Sequence, residues 1–493
     1  MAATLTPEFD AAAILARVAF VPGRITADSR QVRVGDAFAA YQGATVDGRA
    51  FIGDAVARGA SLVLWDAIAF RWNSAWDVAN IAIDDLKSKL GAIAARIYGY
   101  PSRALWVVGV TGTNGKTTCT HWIARCLGAR GRRTGIVGTL GNGFPDALRT
   151  STNTTPDAAV VQETLALLKD AGAQAIAMEV SSHGLDQGRV NAVEFDVALF
   201  TNLSRDHLDY HGTMAAYGDA KSKLFAWPTL KARVVNIDDP YGRSLAGTAR
   251  SRGQPVLTYG LGAADVVATR HSAVATGIDM AVATPWGRGD VALRVSGAFN
   301  VSNALGVLGV LLASGIGLDD ALAALAEVTA PPGRMQRLGG GAQPLVVIDY
   351  AHTPDALRQA LLALRPAVAA AGRLVCVFGC GGDRDKGKRP EMGRVAVELA
   401  DRVVVTSDNP RSEDPATIVD AIVRGIPQTL RKRSSVELDR GLAIRAAIGE
   451  AREGDVVLVA GKGHEAYQET NGMRVAFSDA ETAAAALAGR GAE

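Results

Sequence analysis

The sequence predicts an α/β protein of three domains: a small N-terminal α/β domain, a central P-loop-type domain on a mostly parallel sheet, and a C-terminal α/β domain. Three observations carry this expectation. The chain has 493 residues, and single cores stop growing beyond about 250–300 residues. Short apolar runs alternate with segments of helical periodicity along most of it, the pattern of parallel strands joined by crossover helices. Two breaks, Tyr100-Pro101 and Pro331-Pro332-Gly333, interrupt that rhythm and divide the chain into blocks 1–103, 104–332 and 333–493.

The elements follow in order. The first block holds strand-like pieces at 60–65 and 81–83 and a helix at 86–98 that Tyr100-Pro101 ends. The second holds apolar runs at 106–110, 134–137, 175–178, 197–200 and 234–237, with a helix at 121–127. The third holds runs at 345–348, 374–378, 402–405 and 456–459, separated by Ala-rich helices. In this last block a polar cluster follows every strand, at 349–354, 379–384, 408–411 and 461–465. Ligands of open α/β sheets bind beyond the carboxyl ends of the strands, so one edge of this domain is expected to be a binding face.

Composition excludes several classes. Apolar residues make up 48% of the chain, enough for a core in each domain, and the 54 glycines exceed the usual share of about 7%, as many βα turns require. A net charge of +2 argues against a broad nucleic-acid footprint. The longest apolar stretch, 304–318, is shorter than the roughly twenty residues that span a bilayer, so it is expected to be a buried helix and no membrane span is expected. Cys119, Cys126, Cys376 and Cys380 form no pair of CxxC motifs, which leaves a zinc site weak. Cys119 and Cys126 are expected to be half-buried packing residues of one helix. Free thiols, with no basic leader in 1–10, make a cytoplasmic location the expectation.

The chemistry starts at Gly112-Thr113-Asn114-Gly115-Lys116-Thr117-Thr118. A strand, a Gly-rich turn, Lys-Thr and a helix together cradle a nucleotide phosphate with backbone N–H groups, a helix N-terminus and one ammonium, while a hydroxyl reaches Mg²⁺. It is not a strict Walker A sequence, because Val110 stands where the first glycine belongs. Glu179, at a strand end, is a carboxylate suited to Mg²⁺. The segment 202–211 is dense in Asp and His for a chain with 7 His, which suits a metal or phosphate, against a plain polar loop. Lys221 and Lys223 read as ordinary surface lysines of a helix. Arg384, Asp408, Arg411 and Glu465 offer both signs of charge beyond strand ends. They describe a site for a zwitterion, since Arg grips carboxylates bidentately, or else a structural ion-pair network.

Taken in order, GTNGKTT (112–118), MEVSSH (178–183), NLSRDHLDYH (202–211), a YxxAK segment (217–221), GxFNxxNA (297–304), DYAHTP (349–354), DNPR (408–411) and GKGHE (461–465) resemble the Mur ligases of peptidoglycan synthesis, in particular those that add diaminopimelate. The resemblance implies an N-terminal UDP-sugar-binding domain, a central ATPase domain and a C-terminal Rossmann-like domain for the incoming amino acid. The activity it implies is ATP-dependent ligation of meso-diaminopimelate to UDP-N-acetylmuramoyl-L-alanyl-D-glutamate through an acyl phosphate. It implies ATP contacts at Gly112, Thr113, Asn114, Gly115, Lys116, Thr117, Thr118, Asn300, Asn303 and Asp349. It implies contacts to the UDP-muramoyl dipeptide at Ala27, Ser29, Asn153, Thr154, Thr155, Ser181, Gln187 and Arg189. Diaminopimelate would meet Arg384, Asp408, Asn409, Pro410, Arg411, Gly461 and Glu465. Lys116, Glu179, His207 and Lys221 would be catalytic. Two Mg²⁺ ions would be held by Thr117, Glu179, His207 and Lys221, the last as a carbamate formed with CO₂. The expected enzyme is a monomer whose partners are small-molecule substrates. The rivals are a folylpolyglutamate synthetase or another Mur enzyme, and, from another class, a P-loop NTPase switch without a covalent product.

Overall fold

The computed structural model describes residues 9–43, 46–151, 153–274, 277–295 and 297–490. Most of the 1–10 stretch read above for a leader lies outside them. Contact density divides the chain into two compact units: Met1–Thr111, Ile123–Leu199 and Ala220–Arg233 form the first, and Gly112–Trp122, Phe200–Asp219 and Val234–Glu493 form the second.

The first unit opens with a four-stranded parallel sheet of Ile25–Thr26, Ala37–Ala40, Leu62–Asp66 and Ala79–Ile83. Alternation along each strand feeds two cores. Leu62, Leu64, Ile81 and Ile83 pack on one face with Leu90 and Ile93 of the helix Leu86–Ile97. Phe38, Val63 and Trp65 pack on the other with Ile52 and Ala55. The strand Ala37–Ala40 escaped the sequence reading because three of its four residues are Ala, a poor strand former. The same unit holds a second set of strands, in the order Val197–Phe200, Trp106–Thr111, Ala175–Glu179, Thr134–Gly138, Gly141–Phe144 and Ala147–Arg149. Trp106–Thr111 and Thr134–Gly138 both pair in parallel with Ala175–Glu179, so the carboxyl ends of these strands share one edge.

The second unit carries Gly287–Leu293, Gly277–Thr284, Val266–Val274, Val256–Gly260 and Ala232–Asn236 in that order. Its first three strands form an antiparallel meander that the sequence reading missed. Buried and less buried residues largely alternate along Gly277–Thr284, so it lacks the continuous apolar run that marks strands covered on both faces. The long apolar helix runs over Phe299–Ala313 and is buried along most of its length, not over 304–318 as expected. Gly315 at φ +83° ends it in the left-handed conformation that favours glycine.

The second unit also carries a six-stranded sheet in the order Gln336–Gly339, Leu345–Asp349, Val456–Ala460, Leu374–Phe378, Arg402–Val405 and Ser434–Val436. All pairs are parallel except the antiparallel edge strand Gln336–Gly339. One face buries Val347, Cys376, Phe378 and Leu458 against helices Pro354–Leu364 and Lys388–Leu399. The other buries Val346, Val375 and Val457 against Ile444 and Ile448. Because the strands run parallel, Asp349, Gly379, Ser407 and Gly461 all leave the sheet at the same edge.

Cys119 and Cys126 are fully buried, at 0% and 1% exposure, rather than half-buried. Among the described residues no helix is long and apolar enough to cross a membrane.

Candidate functional site

The turn 112–115 passes from the strand ending at Thr111 into the helix Lys116–Ala129. Gly112 and Gly115 have φ +149° and +85°, which side-chain-bearing residues rarely adopt. Space is equally restrictive: a Cβ on Gly112 would lie 1.9 Å from Thr201 Oγ1, and one on Gly115 would lie 2.5 Å from Asn303 Oδ1. The loop is braced by Thr113 N–H donating to Asn202 O at 2.8 Å and Asn114 N–H donating to Asn202 Oδ1 at 2.9 Å. Lys116 Nζ donates to the carbonyls of Gly112 and Thr113, both at 2.9 Å, so its ammonium lies over the loop it belongs to. Thr117 and Thr118 are buried at the start of the helix. Asn300 and Asn303 are buried too, with Asn303 Nδ2 donating to Asn300 Oδ1 at 2.9 Å.

The second unit brings C-terminal residues to this loop. Arg334 Nη2 donates to Thr117 Oγ1 at 3.0 Å, and its guanidinium lies 4.2 Å from the Tyr350 ring centroid. Asn114 Nδ2 donates to Asp355 Oδ2 at 3.3 Å. Asp349 accepts the N–H groups of Met335 and Ala351, both at 2.8 Å. Burial pushes its carboxyl up, against the pull of Arg334 and these two donors.

His207 stands at φ +54°. The neighbouring Asp206, buried, lies 3.3 Å from His207 Nε2 and 3.5 Å from His352 Nε2. Burial opposes ionisation of Asp206, but the His352 hydrogen bond and the charges of His207, His352 and Lys388 hold its carboxyl well below the usual range. Neither Asp206 nor His352 was singled out in the sequence, although both stand inside quoted motifs.

In the first unit, Glu179 is the last residue of its strand and is fully buried. Thr139 donates to both of its oxygens, N–H to Oε1 at 2.8 Å and Oγ1 to Oε2 at 3.1 Å. A Cβ on Gly138 would come within 2.4 Å of Oε1, so only glycine leaves room for this carboxylate. Thr154 Oγ1 donates to Thr139 Oγ1 at 3.0 Å, since the Thr139 proton goes to the carboxylate. Thr155 Oγ1 donates to Glu179 O at 2.9 Å and meets Ser181 Oγ at 3.1 Å, and Ser181 caps the helix Ser182–Asp186. Arg189 donates to Thr155 O at 2.8 Å and to Gln187 Oε1 at 2.7 Å. Thr154, Thr155, Glu179, Ser181, Gln187 and Arg189 thus form one network. Asn153 is exposed, and Ala27 and Ser29 lie at the start of the N-terminal sheet region, Ser29 buried. Burial and Asp157, opposed by Arg189, push the hydroxyl of nearby Tyr41 up to about 12.

Lys221 is 1% exposed, which overturns its reading as a surface lysine. Lys223 does lie at the surface, paired with Asp186 at 2.8 Å. Among the described residues no group of three or more His, Cys, Asp and Glu side chains could hold a metal by itself. The expected donors are a hydroxyl, a carboxylate, an imidazole and a modified lysine. The buried, glycine-cradled carboxylate of Glu179 fits a hard cation such as Mg²⁺.

The edge of the six-stranded sheet gathers the remaining candidates. A Cβ on Gly381 would lie 2.8 Å from Arg411 Nη1 and 3.8 Å from Arg384 Cγ, so the Arg411 guanidinium and the stem of Arg384 both lie against this glycine. Arg411, at φ +53°, donates from Nη1 to Gly382 O at 2.7 Å. Its backbone is held by the hairpin of Tyr467–Thr470 and Met473–Ala476, through Arg411 N–H to Glu469 O at 3.0 Å. Asp408 and Gly461 touch, a Cβ on Gly461 falling 2.6 Å from Asp408 Oδ2. Pro410 packs on Gly382, whose Cβ would fall 1.8 Å from Pro410 O. Glu465 is not an isolated carboxylate: Lys462 Nζ donates to its Oε2 at 3.0 Å and Asn409 Nδ2 at 2.7 Å. Behind these loops Arg440 and Asp479 form a fully buried pair at 2.7 Å. Arg440 also donates to Ser407 O at 3.2 Å and Ala460 O at 2.9 Å, tying together the starts of the two loops.

Comparison with known proteins agrees along the chain. The family model described as "Mur ligase family, catalytic domain" matches residues 23–98, "Mur ligase middle domain" matches 110–311, and "Mur ligase, glutamate ligase domain" matches 333–463. A Chromobacterium violaceum protein named UDP-N-acetylmuramoyl-L-alanyl-D-glutamate–2,6-diaminopimelate ligase is 50% identical over 485 residues, 98% of either chain. A protein of the same name from Ectopseudomonas mendocina is 54% identical over 470 residues, 94% of either chain. A solved structure of a ligase of that name is 36% identical, with TM-score 0.65 over 95% of both chains.

Proposed function

The chain belongs to the Mur ligase family, and we propose that it is the ATP-dependent ligase that joins meso-diaminopimelate to UDP-N-acetylmuramoyl-L-alanyl-D-glutamate. Its three α/β domains, with proposed limits at 103/104 and 332/333, bind the UDP end, ATP and the incoming amino acid. The enzyme is proposed to be a cytoplasmic monomer acting on small molecules, without a nucleic-acid partner.

A carboxylate is a poor electrophile toward an amine. Transfer of the γ-phosphoryl group of ATP to the glutamate carboxylate gives an acyl phosphate with a good leaving group. The amine of diaminopimelate then attacks, and the tetrahedral intermediate collapses with loss of phosphate. In this scheme the N–H groups of 112–118 and the N-terminus of the helix Lys116–Ala129 hold the phosphates. Lys116 moves its ammonium from the carbonyls of Gly112 and Thr113 onto phosphate oxygen. Asn300, Asn303 and Asp349 complete the ATP site. Thr154, Thr155, Ser181, Gln187 and Arg189 orient the dipeptide, with Asn153, Ala27 and Ser29 toward the UDP end. Mg²⁺, held by Thr117, Glu179, His207 and carbamylated Lys221, would neutralise charge on the transferring phosphoryl group.

The observation that carries the amino-acid assignment is that Arg384 and Arg411 both lie against Gly381, with Asp408 and Glu465 on loops leaving the same edge of the sheet. The far end of diaminopimelate has a carboxylate and an ammonium, while that of lysine has only an ammonium. With lysine the two guanidinium groups would have no carboxylate to bind bidentately. Incubation with ATP, the UDP-muramoyl dipeptide and labelled diaminopimelate or lysine tests this. Incorporation of diaminopimelate with little lysine is expected; equal incorporation refutes the reading. ATP turnover without either amino acid would favour an NTPase instead.

A further inference from the structure

The buried ammonium of Lys462 has no part in the scheme above. Its side chain is 0% exposed, and burying an ammonium is costly unless it is paired and hydrogen-bonded. Lys462 Nζ meets both conditions, with Asn409 Oδ1 at 2.9 Å and Glu465 Oε2 at 3.0 Å, and it lies 5.5 Å from the Tyr467 ring centroid. Asn409 closes the triangle: its Nδ2 donates to the same Oε2 at 2.7 Å, and its Oδ1 also accepts Glu469 N–H at 3.0 Å. Both bonds to the Glu465 carboxylate therefore end on Oε2. The side chain of Glu465 is 17% exposed, and Oε1 is the oxygen left to accept from a ligand.

We infer that Lys462 is a positioning residue for the amino-acid substrate. Through Oε2 it sets the rotation of the Glu465 carboxylate, and through Asn409 it ties that carboxylate to the loop carrying Arg411. Oε1 then meets the distal ammonium of the substrate while Arg384 and Arg411 take the adjacent carboxylate. This rests on the proposed diaminopimelate reading. It adds that the position of Glu465 depends on a cation that does not itself reach the substrate.

A double-mutant cycle on the full-length enzyme separates this role from a general structural one. Wild type is assayed first, and failure to incorporate diaminopimelate would remove the substrate reading and this inference with it. Given that activity, Lys462→Met is expected to raise KM for diaminopimelate at least about tenfold, the scale of a charge-assisted hydrogen bond. Its kcat and KM for ATP are expected to stay within about twofold. In a Glu465→Gln background the same substitution should change KM by less than about twofold, because residues that act through one another are not additive. An unchanged KM in Lys462→Met, or the same tenfold rise in both backgrounds, overturns the inference while leaving the substrate reading intact. Should the Met variant not fold, Lys462→Gln, which keeps a donor for Asn409 without the charge, enters the same cycle with the same expectations.

Discussion

Arg389 and Glu413 form a two-bonded ion pair under the loop that carries Arg384, with Nη1 to Oε2 at 3.0 Å and Nη2 to Oε1 at 2.8 Å. Glu413 Oε1 also accepts Asp383 N–H at 2.7 Å, and Arg389 Nη2 reaches Gly381 O at 3.4 Å. The pair thus holds 381–383, the turn against which Arg411 and the stem of Arg384 lie.

The pair makes a pH-dependent contribution to stability. The hydrogen bonds from Arg389 lead the causes that push the Glu413 carboxyl down to about 2 from 4.5, against some desolvation. A carboxyl lowered on folding stabilises the protein above its unfolded value, and that contribution is lost as pH falls from 4.5 through about 2. Glu413→Gln is expected to cost about 1–3 kcal/mol near neutral pH, and the gap to wild type should narrow by about pH 3.5. Urea denaturation of both proteins at the two pH values reads this. A gap that stays constant would show that the pair does not titrate as described.

Gly112 is predicted to tolerate no side chain. Its φ of +149° and the 1.9 Å approach of a built Cβ to Thr201 Oγ1 mean that Gly112→Ala must displace the phosphate loop. The expected result is a loss of about 1–3 kcal/mol together with a raised KM for ATP. Gly128, near the end of the same helix, has nothing within 4 Å of a built Cβ. Gly128→Ala should leave KM unchanged and stabilise by about 0.5–1 kcal/mol. Thermal melts and ATP titrations of the two variants, run side by side, decide between a local effect and a general one.

Lys221 is the third test. Its side chain is 1% exposed, and the proposed carbamate would form from its neutral amine and CO₂. Lys221→Ala is expected to lower kcat by about a hundredfold or more. Short carboxylic acids should restore part of the rate by supplying the missing carboxylate. Near-normal turnover in the variant, or no rescue by any short acid, would remove the carbamate from the scheme.

Much of the fold was legible because buried parallel strands advertise themselves. The runs 374–378 and 402–405 coincide with Leu374–Phe378 and Arg402–Val405, since strands covered on both faces must be apolar throughout. The meander over Val266–Leu293 was not, because its strands are largely exposed or alternate instead of running apolar. In the candidate site, the positions of Glu179 and the phosphate loop stood out through residue type and spacing. The partners did not: Thr139 on Glu179, Arg334 on Thr117, and Lys462 on Glu465. Lys462 lay inside a quoted motif, yet nothing local said that its ammonium turns inward.

By itself the sequence determined the α/β class, the run of strands and the order of the chemical motifs, because periodicity and turn residues act over a few positions. Only the tertiary structure decided which charges meet. Lys462 and Asn409 are 53 residues apart, and Arg440 and Ser407 are 33 apart. They touch because Val456–Ala460 enters the sheet beside Leu374–Phe378, next to Arg402–Val405. Strand order comes from the cooperative burial of two sheet faces, which no local pattern encodes, and it turns separate polar clusters into one site.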